Sequence, residues 1–308
     1  MTELSPRQRF LLGIFILVLA NICFSAKAIL VKLMYRHGVD TQSVIALRML
    51  LALPFYLGVA VYMHRRPGNV PLTRRQWLAI SGLGILSYYI SSMLDFLGLQ
   101  YVTASVERLV LFTYPSIVLL LSAVLFKVRI LRTQYLALLL TYLGVVLVFA
   151  AEKGLGGQKD LLAGGLLVFG CALTYSFYVV YTGQYVHRVG SVKFTSYAVI
   201  AATFPTLVQT GWHNQFDLLQ FSGQVYLLAI LLAVVATVVP TFLIVEGIRV
   251  VGANNSGIIG FVGPVATILL GYIFLGEPVT AMQLLGTAVV LAGIGLLTWK
   301  GDRKVDVK

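Results

Sequence analysis

Six ionisable side chains lie within long apolar segments of the sequence: Lys27, Arg48, Asp95, Glu107, Arg108 and Glu246. A charge in a segment of this kind is costly unless it is paired or hydrated, so each is a candidate for an ion pair, a proton carrier or a contact to a charged ligand. Glu107 and Arg108 are adjacent, and adjacent side chains on a helix point about 100° apart. Their partners must therefore lie on other helices, in water or on a ligand.

The composition indicates a chain whose surroundings are mostly lipid. It is 59% hydrophobic and 11% charged, with a mean hydropathy of +0.91, whereas soluble domains have about 25% charged residues. The net charge of +12 does not indicate nucleic-acid binding, because the basic residues lie in short loops between apolar runs and do not form one solvated face.

The sequence predicts an all-α polytopic membrane protein with ten transmembrane helices, since about 20 apolar residues span the hydrocarbon core. The predicted spans are 10–33, 42–63, 77–97, 102–125, 133–151, 161–182, 192–211, 225–247, 254–275 and 282–299. With both termini in the cytoplasm, 16 Lys and Arg residues fall in inner loops and 4 in outer loops. This bias favours that orientation, and we expect a bacterial plasma (inner) membrane location.

The second half of the sequence repeats the first. A shift of 149 residues places Gly98 on Gly247 and Pro115 on Pro264, and a shift of 151 places Ser25 on Ser176, Gly13 on Gly164 and Pro54 on Pro205. We expect two five-helix repeats, 10–151 and 161–300. Five is odd, so the repeats cross the membrane in opposite directions, an arrangement typical of secondary transporters.

The second repeat carries the stretch "GANNSGIIGFVGPVATILLGYIFLGEPVTAMQLLGTAVVLAG". With this stretch and the repeat, the chain resembles the EamA type of the drug/metabolite transporter superfamily. The resemblance implies two inverted five-helix repeats, cytoplasmic termini and transport of amino acids, other metabolites or drugs. The first repeat departs from the pattern, with "FKVRILRTQ" where "LGEPVTAMQ" would stand. The inverted topology accounts for this departure, because it places this loop of the first repeat on the inner side, where basic residues are favoured.

Polar side chains at helical spacing indicate a cavity between the repeats. Tyr88, Ser91, Ser92 and Asp95 form one predicted stripe, with further stripes on the first and sixth spans. The candidate residues for substrate binding or coupling are Asn21, Ser25, Arg48, Tyr88, Ser92, Asp95, Glu107, Arg108, Tyr178 and Asn254. The candidate hinges are four prolines paired across the repeat, Pro54, Pro115, Pro205 and Pro264.

Structural roles compete with each of these assignments. Lys27 and Arg48 could extend to the outer headgroups, and Asp95 could form a salt bridge with Arg48 or Arg108. Glu107 and Arg108 could clamp the fourth helix against the second and third. Glu246 is expected to pair with Arg249 at i,i+3.

The leading hypothesis is a secondary transporter, an exporter of a small metabolite or drug-like solute, whose repeats rock about a central site. A carboxylate that takes up a proton when desolvated, Asp95 or Glu107, would couple transport to the proton gradient. The alternatives are a non-transporting receptor or scaffold and an intramembrane enzyme. No cofactor motif or metal-ligand spacing is present, and the expected partners are a small-molecule substrate, the lipid bilayer and, if transport is coupled, protons.

The oligomeric state is open between a monomer and a homodimer. Small residues on the last helix, Gly286, Ala288, Ala292 and Gly293, could mediate dimerisation or pack within the bundle.

Overall fold

The computed structural model describes residues 6–66, 71–127, 129–154, 160–214 and 218–300, and these residues form helices joined by turns, with no strand among them. The helices of the first half are α1 (Pro6–Arg36), α2 (Thr41–Arg65), α3 (Arg74–Gly84), α4 (Ser92–Leu99), α5 (Ala104–Leu111), α6 (Tyr114–Phe126) and α7 (Arg132–Gly154). Those of the second half are α8 (Leu161–Val189), α9 (Ser191–Asn214), α10 (Gly223–Ala233), α11 (Val239–Val251), α12 (Ala253–Ile259), α13 (Val262–Leu270) and α14 (Ala281–Lys300).

Within the described ranges, eight stretches are long and apolar enough to span a membrane. They coincide with eight of the ten predicted spans. The predicted span 282–299 falls on α14, whose apolar part Ala281–Leu297 is shorter. The predicted span 192–211 falls on α9, which is rich in hydroxyl side chains. Ser196, Thr203, Thr206 and Thr210 each donate a hydrogen bond to the carbonyl four residues earlier, so the helix satisfies its own polar groups.

Several helices depart from regular α geometry at corresponding places. π-Helical turns at Ile85–Ser91 and Val234–Val238 join α3 to α4 and α10 to α11, and a third, Gly271–Leu275, extends α13. Non-helical residues separate α5 from α6 just before Pro115, and α12 from α13 just before Pro264. Because proline cannot donate to the preceding turn, these breaks follow from the sequence. Pro54 and Pro205, by contrast, lie inside α2 and α9, which continue through them.

Corresponding glycines of the two halves make corresponding close contacts. A Cβ at Gly98 would lie 2.5 Å from Val168, and a Cβ at Gly247 would lie 2.4 Å from Leu17. Val168 follows Leu17 by 151 residues, the shift that relates the first helices of the two halves. The first helix of each half therefore packs directly on the other half: α1 packs on α11, and α8 packs on α4.

The small residues of the last helix pack within the bundle. A Cβ at Gly144 on α7 would lie 2.7 Å from the carbonyl oxygen of Gly286 on α14, and a Cβ at Gly293 would lie 2.5 Å from Oγ1 of Thr141. Of the two uses expected for this face, Gly286 and Gly293 thus contact α7 of the same chain.

The contact between α7 and α14 provides a stability test. Gly144→Ala should lower the free energy of unfolding by about 1–3 kcal/mol, because the added methyl group overlaps the backbone of α14. Gly58→Ala on α2 is the matched control, since a Cβ there meets no atom within 4 Å. It should leave stability unchanged or raise it by about 0.5–1 kcal/mol. Thermal unfolding in detergent measures both, and equal effects would contradict the packing described here.

Candidate functional site

A lysine ammonium group buried between two carboxylates forms the centre of the site. Nζ of Lys27 on α1 lies 2.5 Å from Oδ2 of Asp95 on α4 and 3.2 Å from Oε1 of Glu107 on α5. The exposed fractions of the three residues are 7%, 3% and 1%. Ionised groups so deeply buried are stable only when paired, so these contacts fix α1, α4 and α5 against one another.

Two arginines lie beside the phenylalanine rings that also contact Lys27. The guanidinium carbon of Arg48 lies 4.9 Å from the ring centre of Phe96, and that of Arg108 lies 5.1 Å from the ring centre of Phe24. The ammonium of Lys27 lies near both rings, 5.6 Å from the centre of Phe24 and 6.0 Å from that of Phe96. Such cation–π contacts are worth about 2 kcal/mol when desolvated. We call the five side chains the central charge cluster: Lys27, Arg48, Asp95, Glu107 and Arg108.

The two guanidinium groups differ in their hydrogen bonds. Nη2 of Arg48 donates to Oγ of Ser92 at 2.8 Å and to the carbonyl of Tyr88 at 3.4 Å. Among the described residues, Arg108 has neither a hydrogen-bond partner nor an ion-pair partner, and its buried Nε is unpartnered. Oδ1 of Asp95 and Oε1 of Glu107 also lack a hydrogen-bond partner. Both the cationic and the anionic side chains of the cluster therefore keep polar atoms that have no hydrogen-bond partner.

Short helices position the charges. Thr103 caps α5, with its hydroxyl accepting a bond from the backbone N–H of Val106, so Glu107 lies in the first turn of this helix and Arg108 in the last. They point toward different neighbours, as expected for adjacent helical residues. Glu107 faces Lys27 on α1, and Arg108 lies against Gly263 of α13, where a Cβ would be 2.5 Å from its Nη2.

Three expectations about these residues are corrected. Lys27 and Arg48 do not extend to headgroups, since both are buried. Asp95 pairs with Lys27, and neither Arg48 nor Arg108 is within ion-pair distance of it. Glu107 is held by α1, whereas the clamp hypothesis placed its partners on the second and third helices.

The predicted stripe of polar side chains on the third span contacts two helices. Oγ of Ser91 bonds to Oγ1 of Thr174 on α8, while Oγ of Ser92 accepts from Arg48 on α2. The stripe includes part of the π-helical turn Ile85–Ser91, which holds more residues per turn than the 3.6 assumed for the stripe. The expected pair of Glu246 and Arg249 is present, at 2.6 Å and exposed.

The structure shows contacts for three further predicted candidates, Asn21, Ser25 and Tyr178. Ser25 donates to the carbonyl of Gly263 at 2.9 Å, and Asn21 donates to the carbonyl of Leu17 in its own helix. The ring of Tyr178 lies 6.0 Å from that of Tyr88. The side chain of Asn254 lies outside the described residues.

The bond from Ser25 has a counterpart in the other half. Ser176 on α8 donates to the carbonyl of Tyr114 at 3.1 Å. Tyr114 and Gly263 are the residues immediately before Pro115 and Pro264. In each half, a serine on the first helix thus holds the start of the broken helix of the other half.

A second ionic group, not singled out from the sequence, lies beyond the cluster toward the Arg36 end of α1. The carboxylate of Glu277 accepts the backbone N–H of Ala104 at 2.9 and 3.1 Å and lies 3.6 Å from Nζ of Lys32. Gly276, at φ 69°, provides the left-handed turn that brings Glu277 back over α5. Arg36 donates to the carbonyl of Leu275. We call Lys32, Arg36, Ala104 and Glu277 the Glu277 latch.

A cavity of about 480 Å³ opens beside the latch. Its lining residues are Lys32, Tyr35, Arg36, Gly38, Val39, Leu99 and Gln100. The motif "LGEPVT" was a signal for Glu277, but nothing local in the sequence indicated that its partners lie 173 residues away. In the part of the chain that the structure describes, no group of three or more His, Cys, Asp or Glu side chains is placed to hold a metal.

Comparison with known proteins assigns the chain to a family. The model of the EamA-like transporter family matches residues 11–150 and again 162–299. The Bacillus subtilis (strain 168) protein named "Uncharacterized transporter YcbK" is 30% identical over 89% of this chain and 88% of its own length. An "Uncharacterized transporter" of Archaeoglobus fulgidus is 27% identical over 85% and 88%.

A solved crystal structure shares the fold, with a TM-score of 0.66, 15% identity and coverage of 96% of this chain and 99% of the other. Together with the apolar helices, the two family matches establish a multi-pass membrane protein, and the chain belongs to the EamA-like transporter family.

Proposed function

We propose that this protein is a secondary transporter that exports a small metabolite or drug-like solute, such as an amino acid, across a bacterial plasma membrane. The central charge cluster carries this proposal. Its five ionisable side chains are buried, and one of them, Arg108, lies against Gly263 next to the helix break at Pro264. Among these buried charges, both the cationic and the anionic groups keep polar atoms without a hydrogen-bond partner. Such an arrangement suits a site that binds a polar solute or moves a proton.

The proposed architecture is two inverted five-helix repeats, 10–151 and 161–300, with both termini cytoplasmic. It is supported by the reciprocal contacts of Gly98 and Gly247 and by the reciprocal bonds of Ser25 and Ser176. Such pairs of contacts arise when two similar halves face each other about a two-fold axis. Alternating access would then be a rocking of one half against the other.

The helix breaks and the latch give this rocking a structural basis. The breaks before Pro115 and Pro264 lie in the helices that reach the cluster, so bending there would reshape the site with little disruption of helical hydrogen bonds. In the proposed orientation the Glu277 latch closes the outer side, because Glu277 of the second half binds Lys32 and Ala104 of the first. Pro54 and Pro205 are proposed as lesser hinges inside continuous helices.

The function is tested by transport in proteoliposomes of the purified chain, with growth of an overexpressing strain on toxic amino-acid analogues and drugs used to find the solute. We expect overexpression to confer resistance to at least one compound, and the vesicles to accumulate that compound or its parent metabolite. Asp95→Asn should abolish both effects, because it leaves Lys27 with one carboxylate. Resistance that persists in Asp95→Asn would argue against a transport site at this cluster.

Coupling to protons should depend on Glu107. Asp95 is hydrogen-bonded to Lys27, whereas Oε1 of Glu107 is near the ammonium without a hydrogen bond. Glu107 is therefore the carboxylate that can be neutralised while Lys27 keeps a partner. Glu107→Gln should abolish accumulation driven by a pH gradient and leave solute exchange intact. The measurement is uptake with and without the gradient, and unchanged accumulation would exclude this role.

The latch predicts a change in accessibility. A cysteine at position 92 (Ser92→Cys), in a chain whose Cys23 and Cys171 are replaced by serine, reports on access to the cluster. Adding Glu277→Gln should speed its labelling by a membrane-impermeant maleimide about tenfold or more, since loss of a charge-assisted hydrogen bond costs about 1.5–3 kcal/mol. Glu246→Gln removes an exposed ion pair and is the control. Equal labelling of both variants would show that Glu277 does not close the path.

A further inference from the structure

The central charge cluster has an excess of positive charge. It holds three cationic and two anionic side chains, and both carboxylates face the same ammonium of Lys27. With all five ionised, the formal net charge is +1. A buried excess charge is destabilising unless another group compensates it, so the arrangement favours an anion.

Arg108 is the cation with the fewest partners. It is 6% exposed, and among described residues it makes neither a hydrogen bond nor an ion pair, whereas Arg48 donates to Ser92. The guanidinium carbon of Arg108 lies 5.1 Å from the ring centre of Phe24. This contact supplies no hydrogen-bond acceptor, and the N–H groups of a guanidinium form the fork that binds carboxylates in a bidentate manner.

The surroundings of Arg108 also favour an anion. Its Nη2 lies against Gly263 in the first turn of α13, where a side chain would collide with it. The first turn of a helix carries partial positive charge, which repels a cation and attracts an anion. Both the guanidinium of Arg108 and the first turn of α13 therefore favour an anion nearby.

Packing does not require an arginine at this position. The residue that corresponds to Arg108 in the second half is Gly257, and α12 forms the matching short helix with that glycine. The arginine is a feature of one half only, and the cost of burying it needs a functional reason.

We propose that Arg108 binds a carboxylate group of the transported solute, in a subsite bounded by Phe24 and Gly263. This inference rests on the proposed transport function and names the chemical class of the solute. A monoanion matches the excess charge of +1, and the planar fork matches a carboxylate. Binding of the solute would neutralise the cluster, which makes the loaded site electrically easier to bury than the empty one.

The test uses purified protein and a panel of matched monoanionic carboxylates and neutral carboxamides: N-acetylleucine and N-acetylleucinamide, N-acetylphenylalanine and N-acetylphenylalaninamide, hexanoate and hexanamide, benzoate and benzamide. Thermal unfolding in detergent is measured with each probe. We expect at least one carboxylate to raise the unfolding temperature while its amide does not. Arg108→Gln should weaken binding of that carboxylate by about tenfold or more, and Arg108→Lys by less, because it keeps the charge without the fork.

Two further variants keep the test decisive. Gly263→Ala adds a methyl group against the end of the Arg108 side chain and should lower carboxylate affinity even if Arg108→Gln does not fold. Arg249→Gln, at an exposed arginine, should leave affinity unchanged. Stabilisation only by amides, no effect of any carboxylate, or carboxylate binding that survives both Arg108→Gln and Gly263→Ala would overturn the proposal. Because the readout is binding, these outcomes are independent of whether the protein transports.

Discussion

The burial of the Lys27 ammonium is the constraint on which the site depends. An ammonium group cannot remain charged in an apolar bundle without anionic partners, and Asp95 and Glu107 lie 68 and 80 residues away along the chain. The bundle must therefore bring α4 and α5 to the same side of α1. Phe24 and Phe96 lie beside the ammonium and contact the two guanidinium groups, so the two ion pairs of Lys27 organise both the packing and the charge of this region.

The charge of this region comes from one half of the chain. At the positions that correspond to Lys27, Arg48, Asp95, Glu107 and Arg108, the second half has Tyr178, Val199, Ile244, Ser256 and Gly257. The second half contributes backbone instead, through the carbonyl of Gly263 that accepts from Ser25 and the first turn of α13 that lies beside Arg108. The two halves share a related fold, but only the first half carries the charges, so the two walls of the site differ chemically. A solute with a charged end and an apolar end would have a preferred orientation there.

The sequence was sufficient for the helical class, the family and the helix breaks before Pro115 and Pro264, because these depend on local features, whereas Pro54 and Pro205 lie inside helices that continue. Runs of about 20 apolar residues predict spans wherever they occur, and Pro115 and Pro264 interrupt helices by their own covalent structure. The partners of the charges were not predictable in the same way. The sequence leaves Lys27 either at the headgroups or in a charge network, because its distance from Asp95 and Glu107 depends on how three helices pack. The π-helical turn before Ser92 is not marked by a local signal, and Glu277 meets Ala104 only after the two halves assemble.

The position of Lys32 on the same helix as Lys27 links the latch to the site under the proposed mechanism. Five residues separate them, which is about 7.5 Å along a helix, and Ser25 of this helix is bonded to the start of α13. A helix of this length moves as a unit over so short a distance. Any displacement of α1 that separates Lys32 from Glu277 therefore also displaces Lys27 from its carboxylates or carries α4 and α5 with it. The ion pairs of Lys27 and of Lys32 thus involve one rigid helix. Neutralising the cluster with a bound solute would therefore change the free energy needed to break the Lys32–Glu277 pair. Coupling between the cluster and the latch then needs no longer pathway through the protein.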